Sequence, residues 1–215
     1  MATEVKPIII EDYLSAEDFE ELRMVADLAN FTDTQSPYDG VVYPDIYLNI
    51  PEHLQRRILA ILEAVMGRVY PTIMFMRKSA RGVHAPHQVH SDKIMGDYSL
   101  FLYLNREEHC QGGTGLVMHK DTGMWKHPEN DLEMVILQRD MHEEDLWETY
   151  ARLDMKPNRG AIMPAHYLHR AEPVGGFGED NFDARIVLIC FFKVDNADSK
   201  TGDTSGLRWL YRYGL

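Results

Sequence analysis

The first third of the chain carries apolar residues at the spacing of α-helices. One such segment follows a capping-box-like start at Ser15, and a second lies between Pro51 and Gly67, residue types that commonly mark helix ends. The spacing predicts one helix over residues 16–30 and another between Pro51 and Gly67. A β-prone run at 5–10 precedes them, and the punctuated stretch 31–50 is predicted to be a loop. The apolar positions are Phe19, Leu22, Ala26 and Ala29, then Leu54, Ile58, Ile61, Leu62 and Val65.

From residue 71 the pattern changes to short runs of β-branched and aromatic residues separated by turn residues. Such runs predict a sandwich or barrel of strands. They lie at 72–77, 98–104, 116–119, 160–163 and 185–194. A charged stretch at 121–152, which contains Trp125 and Trp147, interrupts the pattern. We predict that it leaves the sheet, is helical over 143–152, and forms either a lid over a site or a solvated decoration.

The chain has 215 residues, a length that suits one domain with a substantial core. We divide this single domain, 1–215, into a helical lead-in at 1–70, a strand-rich core at 71–195 that contains the lid-like insertion 121–152, and a tail at 196–215. Aromatic residues at 207–213 predict that the tail packs on the domain or on a second subunit, as in a homodimer, or lines the entrance to a site.

Charge and hydropathy narrow the choice of partners. The formal net charge of -12 disfavours a nucleic-acid partner, which normally requires a basic face. The start of the sequence lacks a basic and then apolar leader, and no apolar run approaches the roughly 18 residues of a membrane span. We therefore expect a cytoplasmic protein with no membrane partner. Cys110 and Cys190 lie in such different contexts that no disulfide is expected, and Cys190 is predicted to fill the core.

Two histidines, an aspartate and an arginine are the strongest candidates for chemistry. In extended backbone side chains alternate between faces, so His90 and Asp92 point the same way and can share one metal ion. His169 would join them from another strand. Arg185 opens the last long apolar run, where a buried guanidinium would bind an anion.

Two His-x-x-His pairs, 87/90 and 166/169, offer an alternative site, because each pair on a helix would present zinc ligands on one face. A proline precedes each pair closely, at Pro86 and Pro164. Proline favours extended backbone, in which residues three apart point to opposite faces. We expect His84 and His87 at the rim of the site or among the residues around its ligands, and His166 at its entrance or likewise around its ligands.

The order of the motifs resembles that of the iron(II)/2-oxoglutarate-dependent dioxygenases, most closely their prolyl-hydroxylase-like branch. The resemblance implies an α+β fold with a double-stranded β-helix (jelly roll) core and N-terminal flanking helices. It is carried by His90-x-Asp92, Tyr98-Ser-Leu-Phe-Leu-Tyr-Leu-Asn105, Gly112-Gly-Thr114, His169-Arg-Ala-Glu-Pro-Val174 and Arg185-Ile-Val-Leu-Ile-Cys-Phe-Phe192.

The resemblance also implies roles for individual residues. His90, Asp92 and His169, called the triad below, would be the metal ligands and the catalytic centre. Arg185 would bind the distal carboxylate of 2-oxoglutarate, and Tyr103 would donate a hydrogen bond to it.

Three points keep alternatives open. Tyr103 is equally suited to core packing. Many relatives have serine or threonine two residues after the arginine, whereas this chain has Val187. The spacing between His169 and Arg185 is stretched, so Arg77 is the second candidate for the anchor.

The implied cofactors are Fe(II), 2-oxoglutarate and O2, with ascorbate in support. Because Asp92 is retained, the implied reaction is hydroxylation of an unactivated C–H bond in a small amino-acid-like or natural-product molecule, with desaturation or cyclisation as other outcomes. The alternatives are a dioxygenase that hydroxylates a protein side chain and a non-oxidative metal-binding jelly roll.

Overall fold

The computed structural model describes residues 6–37 and 40–195. Its helices are α1 (Ala16–Leu28), α2 (Glu52–Met66) and α3 (Asp131–Asp140). Its strands are β1 (Ile8–Ile10), β2 (Thr32–Gln35), β3 (Val42–Tyr47), β4 (Val69–Ser79), β5 (Tyr98–Tyr103), β6 (Gly113–His119), β7 (Trp147–Asp154), β8 (Gly160–Pro164), β9 (His169–Glu172) and β10 (Arg185–Val194). The predicted contacts of the tail lie outside the described residues. No helix among those described is both long and apolar enough to span a membrane.

The strands form two antiparallel sheets that face each other. The larger sheet has the order β1-β8-β5-β10-β4-β3-β2, and the smaller has the order β7-β6-β9. Apolar side chains from both sheets form one buried cluster, which includes Phe101 and Val187 of the larger sheet and Leu116 and Leu153 of the smaller one. The strand-rich half of the chain is therefore the two-layered structure that its residue pattern predicts.

The first two helices cover the outer face of the larger sheet. Leu22 of α1 and Ile58 of α2, from the middle of the two apolar stripes, are fully buried in a second cluster with alternate residues of β5 and β10, whereas Val65 near the end of α2 is exposed. Ser15 accepts a hydrogen bond from the amide of Asp18 at 3.1 Å, and α2 ends at Gly67 with a φ of 77°. Both predicted helices are confirmed. Their ends and their apolar spacing depend on residues that are close in sequence, so a local pattern was enough to locate them.

The two cysteines are free. Cys190 is fully buried in the cluster beneath the helices, as predicted for a residue that fills the core.

Two predictions about secondary structure are wrong. The stretch predicted as a loop contains β2 and β3, which pair with each other and extend the larger sheet beyond β4. The segment predicted to be helical over 143–152 contains most of β7, which pairs with β6, and the helix of this region is α3. In both cases pairing between strands outweighs the local pattern of turn residues and charges.

Asn158 ties the helical lead-in to the core. It has a φ of 55°, and its buried side chain accepts a hydrogen bond from the amide of Leu14 at 2.9 Å and donates one to the carbonyl of Leu14 at 2.8 Å. We expect Asn158→Ala to lower the free energy of unfolding by about 2–3 kcal/mol, because both backbone groups lose their partner. Urea denaturation measures the change. Asn158→Gly, which tolerates the positive φ, should lose less, and an unchanged stability in Asn158→Ala would contradict this role.

Candidate metal centre

The segment that carries His90 and Asp92 lies beside the start of β9. The amide of His90 donates to the carbonyl of His169 at 3.1 Å, and the amide of His169 donates to the carbonyl of His90 at 2.9 Å. The amide of Asp92 donates to the carbonyl of Ala165 at 2.8 Å. An antiparallel bridge, rather than a long strand, therefore sets His90 opposite His169.

The ligand atoms of the triad converge. Asp92 Oδ2 lies 3.4 Å from His169 Nε2, Asp92 Oδ1 lies 3.7 Å from His90 Nε2, and all the ligand atoms lie within 4.8 Å of one another. With metal–ligand bonds of about 2.0–2.2 Å, neighbouring ligands of one ion stand about 3 Å apart. The spacing therefore fits a single ion with the three groups on one side, the arrangement favoured by non-heme Fe(II).

The surroundings of the triad also suit a cation. The Nδ1 atom of His169 lies 3.0 Å from the carbonyl of Tyr167, to which it donates, so Nε2 keeps its lone pair for a metal. Burial lowers the pKa of His90 well below its ordinary value, which favours the neutral, ligating imidazole. Burial also raises the pKa of Asp92, because the carboxylate lacks a full compensating charge, which a bound metal would supply.

Ser99 holds the carboxylate of the triad. Its fully buried hydroxyl donates a hydrogen bond to Asp92 Oδ2 at 2.8 Å. We expect Ser99→Ala to weaken Fe(II) binding by about 10-fold, because groups that orient a ligating side chain contribute 10–100-fold to metal affinity. Competition with a chelator measures the affinity. Equal affinities in Ser99→Ala and the wild type would contradict this role.

Arg185 lies in a small pocket beside the triad. The pocket has a volume of about 60 Å³ and is lined by residues that include His90, His169, Thr114, Arg77 and Arg185. A pocket of this volume holds about five water-sized groups. This number is comparable to the number of carbon atoms in the chain of a five-carbon diacid.

The guanidinium of Arg185 keeps a free edge in this pocket. It donates one hydrogen bond, to the carbonyl of Gly113 at 3.1 Å, and its Nε has no partner among the described residues. Burial lowers the pKa of Arg185 to about 10, which leaves the group charged at neutral pH. A buried cation with an unused donor is a site for a carboxylate.

Tyr103 packs between the sheets and does not line the small pocket. Its hydroxyl lies 2.8 Å from the carbonyl of Leu153 and 3.0 Å from Thr114 Oγ1. Thr114 itself lines the pocket. The sequence motif Gly112-Gly-Thr114 includes this residue but did not predict its place in the pocket. The contact between Tyr103 and the co-substrate stays a prediction. Thr114 contributes a side chain with a hydroxyl group to the lining of the pocket, which Val187 does not.

Arg77 borders both the small pocket and a larger cavity. It pairs in register with Val187, its guanidinium lies 5.9 Å from the centre of the Tyr43 ring, and its Nε has no partner among the described residues. Its charge contributes to the lowered pKa of His90 and offsets part of the increase that burial causes in the pKa of Asp92. Arg77 thus lies close enough to the triad to act on a bound anion.

The other histidines occupy separate positions. His87 lines the larger cavity, and the ring of His166 packs against Tyr167. His127 also lines that cavity, with Nδ1 2.7 Å from the hydroxyl of Ser91. This last pair was not predicted, because its members lie 36 positions apart in sequence.

The similarity of this chain to known proteins is structural. No family model and no curated protein matches the sequence. Among solved structures, AviO1 from Streptomyces viridochromogenes Tue57 is 12% identical with a TM-score of 0.51, over 93% of this chain and 94% of that one. The alpha-ketoglutarate-dependent epimerase SnoN from nogalamycin biosynthesis is 11% identical with a TM-score of 0.51, over 92% and 86%.

EvdO2 from Micromonospora carbonacea var. aurantiaca, solved with 2-oxoglutarate, is 14% identical with a TM-score of 0.50, over 92% of this chain and 90% of that one. At such identities the likeness establishes the fold. The protein has a double-stranded β-helix fold with flanking helices, as its motifs predicted, and it shares this fold with SnoN and EvdO2. The prolyl-hydroxylase-like branch stays a prediction.

Proposed function

We propose that the protein is an iron(II)- and 2-oxoglutarate-dependent oxygenase that oxidises a small organic molecule. The observation that carries the proposal is a triad, with Asp92 and His169 buried and His90 partly buried, next to a small pocket in which Arg185 keeps an unused donor. The fold shared with SnoN and with EvdO2, which was solved with 2-oxoglutarate, supports it.

Each group has a defined task in this proposal. His90, Asp92 and His169 hold Fe(II), with His90 kept in its neutral form by burial and Asp92 fixed by Ser99. Arg185 binds the distal carboxylate of 2-oxoglutarate, and its position in the small pocket orients the keto acid towards the triad. Bound iron would supply the reaction with O2 that turns 2-oxoglutarate into succinate and CO2 and places the second oxygen atom on the substrate as a hydroxyl group.

The residues around the triad serve to exclude water. Phe101 packs its ring 5.6 Å from that of His169 and lines both the small pocket and the larger cavity. An apolar surface next to reactive groups prevents side reactions with solvent.

Retention of the carboxylate at Asp92 favours hydroxylation as the outcome of the proposed reaction.

Formation of succinate tests the proposal. Protein supplied with Fe(II), ascorbate, 2-oxoglutarate and air should form succinate at a rate above that of protein-free mixtures, and removal of iron or O2 should stop it. Protein loaded with Zn²⁺ should be inactive. Tight binding of one zinc ion together with no succinate formation in any iron-loaded sample would favour the non-oxidative metal-binding alternative instead.

A further inference from the structure

A second and much larger cavity opens beside the triad. It has a volume of about 620 Å³, within the range of sites for drug-sized molecules, and the triad forms part of its wall. Strands β3, β4 and β10 provide another part, and α3 a third. Any molecule in this cavity lies next to the metal ligands.

The charges in the wall restrict what this cavity can bind. Among the lining residues that the structure describes, Asp92 is the one carboxylate and Arg77 is the one permanently charged cation. Asp92 faces both histidines of the triad, so it is committed to the metal. A substrate ammonium group would therefore lose its water without gaining an anionic partner, which is strongly unfavourable.

The rest of the wall is predominantly apolar and adaptable. Met134, Leu137 and Met141 line the cavity from one side of α3 and its C-terminal end, at the spacing of one helix face. Phe75 and Phe191 line it from the larger sheet, with ring centres 5.9 Å apart. Methionine and aromatic side chains fit apolar molecules of varied shape.

One pair of polar groups offers neutral hydrogen bonds. Ser91 and His127 both line the cavity, and their side chains are 2.7 Å apart. The pair lines the same cavity as the triad residues, so a group bound to it shares that cavity with the metal ligands. A hydroxyl or keto oxygen is the complement of such a pair.

We propose that the cavity binds an apolar molecule of terpenoid or polycyclic size that carries no ammonium group and has a hydroxyl or keto oxygen bound at the Ser91–His127 pair. The inference rests on the proposed function and narrows its substrate: amino-acid-like molecules are excluded. The size, the apolar wall and the lack of an anionic partner among the described lining residues together lead to this class.

A matched set of ligands with one carbon skeleton tests the charge. Dehydroabietinol, dehydroabietic acid and dehydroabietylamine carry an alcohol, a carboxylate and an ammonium group on the same tricyclic diterpene. Equilibrium dialysis against the anaerobic Fe(II) protein with 2-oxoglutarate measures their affinities. We expect the alcohol to bind at least about tenfold more tightly than the amine, which corresponds to about 1.4 kcal/mol. Equal or tighter binding of the amine, or no binding of the alcohol, would overturn the inference.

A pair of tryptophan substitutions on α3 tests the location. Met134→Trp places a larger side chain inside the cavity, whereas Val135→Trp places it on the exposed side of the same helix. We expect only Met134→Trp to weaken binding of the alcohol, by about tenfold or more. Equal effects of the two substitutions would show that the alcohol binds elsewhere.

The polar contact has a test of its own. His127→Leu should weaken binding of dehydroabietinol but leave that of the parent hydrocarbon, dehydroabietane, unchanged. An equal loss for both ligands would refute the contact.

A separate measurement distinguishes failure of this inference from failure of the proposed function. Iron(II) develops a visible band with a 2-keto acid, and this band reports the binding of 2-oxoglutarate in the same samples. A normal band together with preference for the amine would contradict the substrate class alone.

Discussion

Replacement of Asp92 by alanine should lower iron-dependent formation of succinate from 2-oxoglutarate by more than about 100-fold. Groups that merely orient a ligand contribute 10–100-fold to affinity or activity, and a ligand itself contributes more. Asp92 is the one anion of the triad, and it faces both histidines at 3.4 and 3.7 Å. Its loss leaves two neutral imidazoles, which cannot balance the charge of the metal.

The matched control is Asp121→Ala, which removes an exposed carboxylate outside the triad. This variant should keep the wild-type rate, and circular dichroism should show both variants folded. Succinate formation at the wild-type rate in folded Asp92→Ala would rule out the triad as the metal site.

Removal of the guanidinium of Arg185 should weaken binding of 2-oxoglutarate by a factor of about 30 or more. The group is 4% exposed, and its Nε has no partner among the described residues, so a carboxylate bound there would be almost fully desolvated. Truncation of one member of such a buried pair costs about 2–5 kcal/mol, and the lower value gives this factor. The concentration dependence of succinate formation in Arg185→Leu measures the change.

Two comparisons make the result specific. Arg185→Lys should fall between the wild type and Arg185→Leu, because an ammonium group keeps the charge but loses the two-pronged geometry. Arg152→Leu, which removes an exposed guanidinium from β7, should bind 2-oxoglutarate normally. Unchanged affinity in Arg185→Leu together with a large loss in Arg77→Leu would transfer the anchor to Arg77.

The sequence predicts local features of this fold well. The stripe and ends of α2 follow from residues within a few positions of one another, since both reflect the helical repeat. The pairing of His90 with Asp92 needed only extended backbone, which the structure provides without a long strand. Alternation of side chains was therefore a sufficient guide to the convergence of His90 and Asp92, whereas the choice of His169 also needed the resemblance to a known family.

Features that depend on distant pairing were not predictable in the same way. The sequence of β7 is typical of a charged surface segment, and the segment forms a strand because it pairs with β6. Thr114 reaches the small pocket through close packing at Gly113, where a Cβ atom would lie 2.0 Å from the carbonyl oxygen of Leu153. The Ser91–His127 contact brings the segment before α3 against the segment that carries His90 and Asp92. No local pattern encodes these contacts.

Anaerobic titration of the Fe(II) protein with 2-oxoglutarate tests the central claim most directly. The account predicts a visible charge-transfer band that saturates at one 2-oxoglutarate per iron, is lost in Asp92→Ala, and needs higher 2-oxoglutarate concentrations in Arg185→Leu. A wild-type protein that binds one Fe(II) but develops no band at any 2-oxoglutarate concentration would contradict the account.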